Sequence, residues 1–209
     1  YMLLTEQIDF PNKWELQSLK YVYRMTHKNL RINLTQKPSF EQLQSVAQYK
    51  GELSFFLVFP EDLKQTFVLT QDILDVLSTS QAKSLSLALQ PSIEQQLDWN
   101  VFSKFTGPLS IHFVGTTPNL KESTIASRSL LMLFENYSGS NITLGPLNVL
   151  TNEFAKVMVN QSCAIRITAI DVEPDAVKTL LEANHKENMS VETSATSKFC
   201  WTHIKNNIC

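Results

Sequence analysis

Glycine is scarce, with five residues among 209, and its scarcity excludes the phosphate-cradling loops of much nucleotide chemistry. Neither Gly-x-Gly-x-x-Gly nor a Walker sequence occurs anywhere in the chain. Basic runs are missing too. Lysine and arginine are scattered singly, the formal net charge is −2 and the pI is about 6.1, so nothing marks a nucleic-acid partner. No apolar run approaches the roughly 20 residues of a membrane-spanning helix. Cysteine is limited to Cys163, Cys200 and Cys209, with no Cys-x-x-Cys and no Cys–His spacing to hold zinc. Ser162-Cys163 lacks the nucleophile-elbow pattern, and no hydrolase triad is expected.

What is present is repetition. Residues 31–78 and 84–134 read as two divergent copies of one passage. Leu34-Thr35-Gln36-Lys37-Pro38-Ser39-Phe40-Glu41-Gln42 answers to Leu87-Ala88-Leu89-Gln90-Pro91-Ser92-Ile93-Glu94-Gln95, and Gly51-Glu52-Leu53-Ser54 to Gly107-Pro108-Leu109-Ser110. The offset drifts only from 53 to 57. Strand candidates are Leu30–Leu34, Ser54–Phe59, Ser84–Leu89, Leu109–Val114, Ile142–Leu144 and Ala164–Ile170, short and β-rich. Helical spacing runs over Trp14–Thr26, Phe40–Gln48, Gln71–Leu77, Ile93–Phe105, Ser123–Phe134, Asn148–Met158 and Asp175–Asn184. Pro38-Ser39 before Glu41-Gln42, and Pro91-Ser92 before Glu94-Gln95, read as capping boxes. Pro174-Asp175 puts negative charge at another helix start. Tyr1–Thr5 reads as a strand rather than a signal peptide. Residues 185–198 are polar and aperiodic, and a loop or tail is expected there.

This alternation predicts an α/β fold: a layered, mostly parallel sheet with helices on both faces, built from internally repeated strand–helix units. The expected organisation is an N-terminal α/β unit over 1–82, its related unit over 83–184, and a polar, Cys-containing tail over 185–209. Trp99 and Phe102 fall at core spacing. His112 alternates within an apolar strand and reads as a core or face histidine, while His27, His185 and His203 read as surface.

Asn-x-Ser/Thr occurs at Asn33, Asn136, Asn141, Asn160 and Asn188, a modest excess over the roughly two or three expected by chance from the acceptor rule. Asn33 falls within a strand candidate. Asn136, Asn141, Asn160 and Asn188 are the candidate glycosylation sites, and they predict a secretory-pathway or extracellular location. In such a compartment Cys163, Cys200 and Cys209 are disulfide candidates, one bridge leaving a thiol for an interchain bond.

Phe105-Thr106-Gly107-Pro108-Leu109-Ser110, then Pro146-Leu147-Asn148-Val149-Leu150-Thr151-Asn152, then the strand Ala164–Ile170 leading into Asp171-Val172-Glu173, resemble the nucleotide-sugar half of glycosyltransferase family 49. These are the LARGE and β-1,4-glucuronyltransferase-like enzymes. The resemblance covers roughly residues 84–175. It implies a nucleotide-diphospho-sugar-transferase-like fold, a Mn²⁺ held by Asp171 and Glu173, and a nucleotide approached by Asn148 and Asn152. A transferase also needs an in-line acceptor and a base to take its proton. The pair here is Asp-x-Glu where the family has Asp-x-Asp, and 36 residues follow Glu173 where the family places its acceptor half. The expectation is therefore a non-catalytic extracytoplasmic binding or assembly module on such a scaffold, with a protein or glycan partner and no cofactor. The alternative is a Mn²⁺-dependent transferase moving sugar from a UDP-sugar to a glycan.

Overall fold

The computed structural model describes residues 6–10, 29–34, 39–57, 70–89, 96–113, 126–183 and 189–193. Eight strands form one sheet: β1 (Glu6–Phe10), β2 (Asn29–Leu34), β3 (Glu52–Leu57), β4 (Ser84–Leu89), β5 (Leu109–Phe113), β6 (Asn141–Leu150), β7 (Ala164–Val172) and β8 (Met189–Thr193). Every pairing is parallel, and the strands lie side by side in the order of the chain. Successive strands start 23, 23, 32, 25, 32, 23 and 25 residues apart. The sheet is a one-dimensional stack in which each strand–helix unit lies against its chain neighbours. The two-copy duplication is a double period of this finer repeat, since 31–78 and 84–134 each hold two strand–helix units.

The helices start where the sequence marks them. In α1 (Phe40–Ala47) the capping box forms: the Gln42 amide donates to Ser39 Oγ at 3.2 Å and the Ser39 amide to Gln42 Oε1 at 2.8 Å. Then come α2 (Gln71–Ser78), a 3₁₀ helix (Trp99–Lys104), α3 (Arg128–Asn136), α4 (Asn152–Asn160) and α5 (Pro174–Glu182). Ser127 caps α3 by accepting from the Leu130 amide at 3.2 Å, and Thr151 caps α4 from Phe154 at 3.3 Å. Asp98 caps the 3₁₀ helix through the Asn100 amide at 3.0 Å. Its three-residue period brings Trp99 and Phe102 onto one side, both fully buried, with ring centroids 6.3 Å apart. A regular α-helix over Ile93–Phe105 is thus replaced, in its described part, by the tighter form. The Pro91–Ser92 box, Tyr1–Thr5 and Trp14–Thr26 lie outside the described residues.

Three expectations are corrected. Where both faces are expected to carry helices, the described ones follow one another: α1 packs on α2, α2 on the 3₁₀ helix, that helix on α3, α3 on α4 and α4 on α5. Among the described residues they form a single layer on one face of the sheet. The cause is topological, because parallel strands added always on the same side, by crossovers of one hand, keep every helix on that side. Second, Asn148 is in β6, not on a helix; the strand runs on through a register irregularity between Leu144 and Leu147, and α4 begins only after Thr151. Third, the polar segment after residue 184 contributes β8, whose Met189 and Val191 pack against the core.

Under the helix layer, apolar residues stack in register across the strands. Leu85, Leu109, Ile142, Ile165 and Met189 form one row, and Leu87, Ile111, Leu144, Ile167 and Val191 the next. These rows meet Leu74, Phe134, Phe154 and Leu180 of the helices in one hydrophobic cluster reaching from Leu43 to Leu180. Phe134 and Phe154 meet edge to face at 4.8 Å. At about 1.5–3 kcal/mol for each fully buried large side chain, this face carries most of the stability.

Candidate functional site

The residues between the apolar rows point the other way, and they compose the candidate site. One row reads Ser86, Ser110, Thr143, Arg166 and Ser190 across β4 to β8. The next reads Ala88, His112, Gly145 on β4 to β6, with Thr168 and Glu192 continuing on β7 and β8. His112, Arg166, Ser190 and Glu192 are exposed, while Ser86, Ser110, Thr143 and Thr168 are half-buried. Arg166 and Glu192 make an ion pair at 3.0 Å, exposed and hence worth at most about 1 kcal/mol. Ala88 and Gly145 flank His112 and are buried beneath their neighbours. Gly145 has φ +140°, and a side chain there would be strained and would press on Thr168 of the next strand. The result is a shallow strip of hydroxyls with one imidazole near its middle. Desolvation against the sheet lowers the His112 pKa, so the ring is neutral near pH 7 and offers both a donor and an acceptor. Such a strip can hydrogen-bond a partner along its length. Among the described residues, His112 makes no hydrogen bond to a hydroxyl of the strip.

The sequence-predicted residues are placed elsewhere and do different work. Glu173 Oε2 accepts from the Asn152 amide at 2.7 Å, which caps the start of α4. Asn152 Oδ1 in turn accepts from Thr179 Oγ1 at 2.7 Å and ties α4 to α5. Asp171 Oδ1 accepts from its neighbour's amide, Val172, at 2.8 Å. The structure thus brings Glu173 and Asn152 together as a helix cap. Asn148 is half-buried in β6. A divalent cation does not suit this arrangement. The Glu173 carboxylate faces the N-terminus of α4, whose partial positive charge repels a cation, and among the described residues no three His, Cys, Asp or Glu side chains gather to hold a metal. The sheet order never reverses, so the described strands form no switch-point crevice of the kind that seats nucleotides in open α/β sheets.

The aromatic-x-Gly segment at Phe105–Gly107 has a structural explanation. Tyr49-Lys50-Gly51 precedes β3 and Tyr137-Ser138-Gly139 precedes β6 at the same junction. All three rings are buried. The Tyr49 and Tyr137 rings lie over Gly51 and Gly139, where a β-carbon would collide with them, and at Gly107 it would meet the Lys83 carbonyl. Neighbouring junctions are then stitched by backbone bonds, such as Lys83 N to Gly51 O at 2.9 Å and Ser138 N to Ser103 O at 3.1 Å. The Tyr137 hydroxyl donates to the Gly107 carbonyl. Burial, then the neighbouring Cys163, push the Tyr137 pKa up, and burial pushes the Cys163 thiol up.

Cys163 is buried at the start of β7; Cys200 and Cys209 lie outside the described residues, as do Asn188, His27, His185 and His203. No helix among the described residues is long and apolar enough to cross a membrane. Sequence reasoning missed the open strip. Its signal was available in Ser84-Leu85-Ser86-Leu87 and Leu109-Ser110-Ile111-His112, where polar and apolar residues alternate as on a one-sided sheet. No protein-family model, curated protein or solved structure matches the chain.

Proposed function

We propose that the protein is a non-catalytic binding module whose ligand is another protein, engaged along the open face of the sheet. The observation that carries this reading is the asymmetry of the sheet: among the described residues one face carries the helix layer, and the other carries the half-buried Ser86–Ser110–Thr143 hydroxyl row and the exposed His112. Units of one strand and one helix, 23 to 32 residues long, resemble those of leucine-rich-repeat horseshoes, whose strands line an extended face. Stacking is what such a unit needs, since none can bury its apolar side alone. The same stacking produces a broad, regular surface suited to recognition rather than a pocket suited to turnover.

The test pairs binding with a nucleotide screen. Partners captured by the full chain are identified, and one is then titrated directly against wild type, Ser110→Arg, Thr143→Arg and a helix-layer control, Lys156→Glu. Loss of affinity in the two open-face variants alone supports the reading; equal affinity in all four contradicts it. In parallel, thermal shifts are read with Mn²⁺ and a panel of UDP-sugars. Ligands that bind only the folded state raise its melting temperature. A Mn²⁺-dependent shift that Asp171→Ala abolishes would replace the binding module with a transferase.

A further inference from the structure

We infer that Asn136 and Asn160 are a matched pair of N-glycan attachment sites on one rim of the stack, which places the chain in the secretory pathway. They hold the same position in consecutive units, each the last residue of its helix, α3 and α4. Both are exposed, and so are the hydroxyl residues two places on, Ser138 and Ser162. Their amides are held alike: Asn136 Nδ2 donates to the Met132 carbonyl at 2.8 Å, and Asn160 Nδ2 to the Lys156 carbonyl at 2.9 Å.

That shared geometry suits the chemistry. An asparagine amide nitrogen carries two hydrogens, and each carbonyl bond uses one. In transfer, the nitrogen forms a bond to the anomeric carbon of a lipid-linked oligosaccharide. The bond from that carbon to the diphosphate oxygen breaks, the lipid diphosphate departs, and one amide proton is lost. The remaining N–H keeps its bond to the helix carbonyl, so a glycan adds without undoing the helix end. Only the long contact of Asn136 with Asn100 Oδ1, at 3.5 Å, is given up. Asn141 differs. It is half-buried as the first residue of β6, and its carbonyl accepts from the Tyr137 hydroxyl at 3.2 Å inside the unit junction. Asn141 stays bare. The two glycans then stand where helices hand over to strands, beside the open face rather than on it.

The test uses the full chain secreted from a eukaryotic host behind a cleavable signal. Glycans are released from the folded protein by an amidase in ¹⁸O water, which converts each glycosylated asparagine to labelled aspartate, and the peptides are mapped by mass spectrometry. The expected result is label at residues 136 and 160 and none at 141. Asn136→Gln and Asn160→Gln each remove one glycan, and Ser162→Ala reproduces Asn160→Gln with the asparagine intact. A bare Asn136 or Asn160, label at Asn141, release only after denaturation, or a chain retained unmodified would each overturn the proposal.

Discussion

The two faces of this sheet are made by the same strands, residue by alternate residue, yet they answer to different demands. On the covered face the rows through Leu87, Ile111, Leu144 and Ile167 are buried to within a few per cent of their surface. On the open face the rows through Ser110 and His112 are hydroxyls, small residues and single charges. The first face builds the fold, and the second carries polar side chains that the core does not use. The lesson is that in a stack of parallel strands, the side chains free to specify a partner are those the fold does not use.

The largest effect is expected where burial is deepest. Phe154→Ala removes a ring with no exposed surface that packs edge to face on Phe134. It is expected to cost about 3–5 kcal/mol in urea unfolding. A loss under 1 kcal/mol would mean that the helix layer is not seated as described.

At the junction of layer and sheet, Glu173→Ala should cost about 1 kcal/mol by leaving the first amide of α4, that of Asn152, without its acceptor. Urea unfolding with and without Mn²⁺ checks this. A metal-dependent difference between wild type and variant would return Glu173 to the role of a ligand.

The pH dependence sharpens the contrast between the faces. Tyr137 and Cys163, on the buried side, have raised pKa values. The unfolded chain ionises first there, and stability falls as pH climbs past the thiol's ordinary 9.0 and the phenol's ordinary 10.0. Tyr137→Phe should flatten the upper part of that decline. His112, on the open side, has a lowered pKa. Its contribution is whole above its ordinary value of 6.5 and is lost as pH falls below it, because the unfolded chain then binds the proton first. His112→Gln should remove that acid-side slope, read as melting temperature against pH.

The smallest effect on stability is expected on the open face itself. Ser110→Lys and Thr143→Lys should change unfolding free energy by no more than about 0.5 kcal/mol. A loss as large as that of Phe154→Ala would show that this face is packed against something.

Much of the fold was legible. The strand over Ser84–Leu89 matches its alternation, and the Ser39 capping box and the Pro174 helix start stand where their residue types put them. What failed were inferences that depend on neighbours. Strand–helix alternation is common to sheets covered on one face and on both, and only the order of strands separates them. Asn148 sat at helical spacing from Asn152, yet β6 carries it because pairing with β7 extends the strand to Leu150. Asp171 and Glu173 looked like a ligand pair because a strand end followed by carboxylates reads alike as a metal site or as a cap. The hydrogen bond from the Asn152 amide shows Glu173 holding a helix end. The candidate strip was written in the alternating serines, but its meaning depends on which face the helices leave uncovered.

Solvent access separates the two faces of the sheet. Single cysteines at Ser110 and Thr168, and at Ile111 and Ile167, are labelled in the folded chain and followed by peptide mass. Rapid labelling is expected at 110 and 168, and labelling at 111 and 167 only at the rate of unfolding. Equal protection at all four positions would mean a sheet covered on both faces, with no open face for a partner.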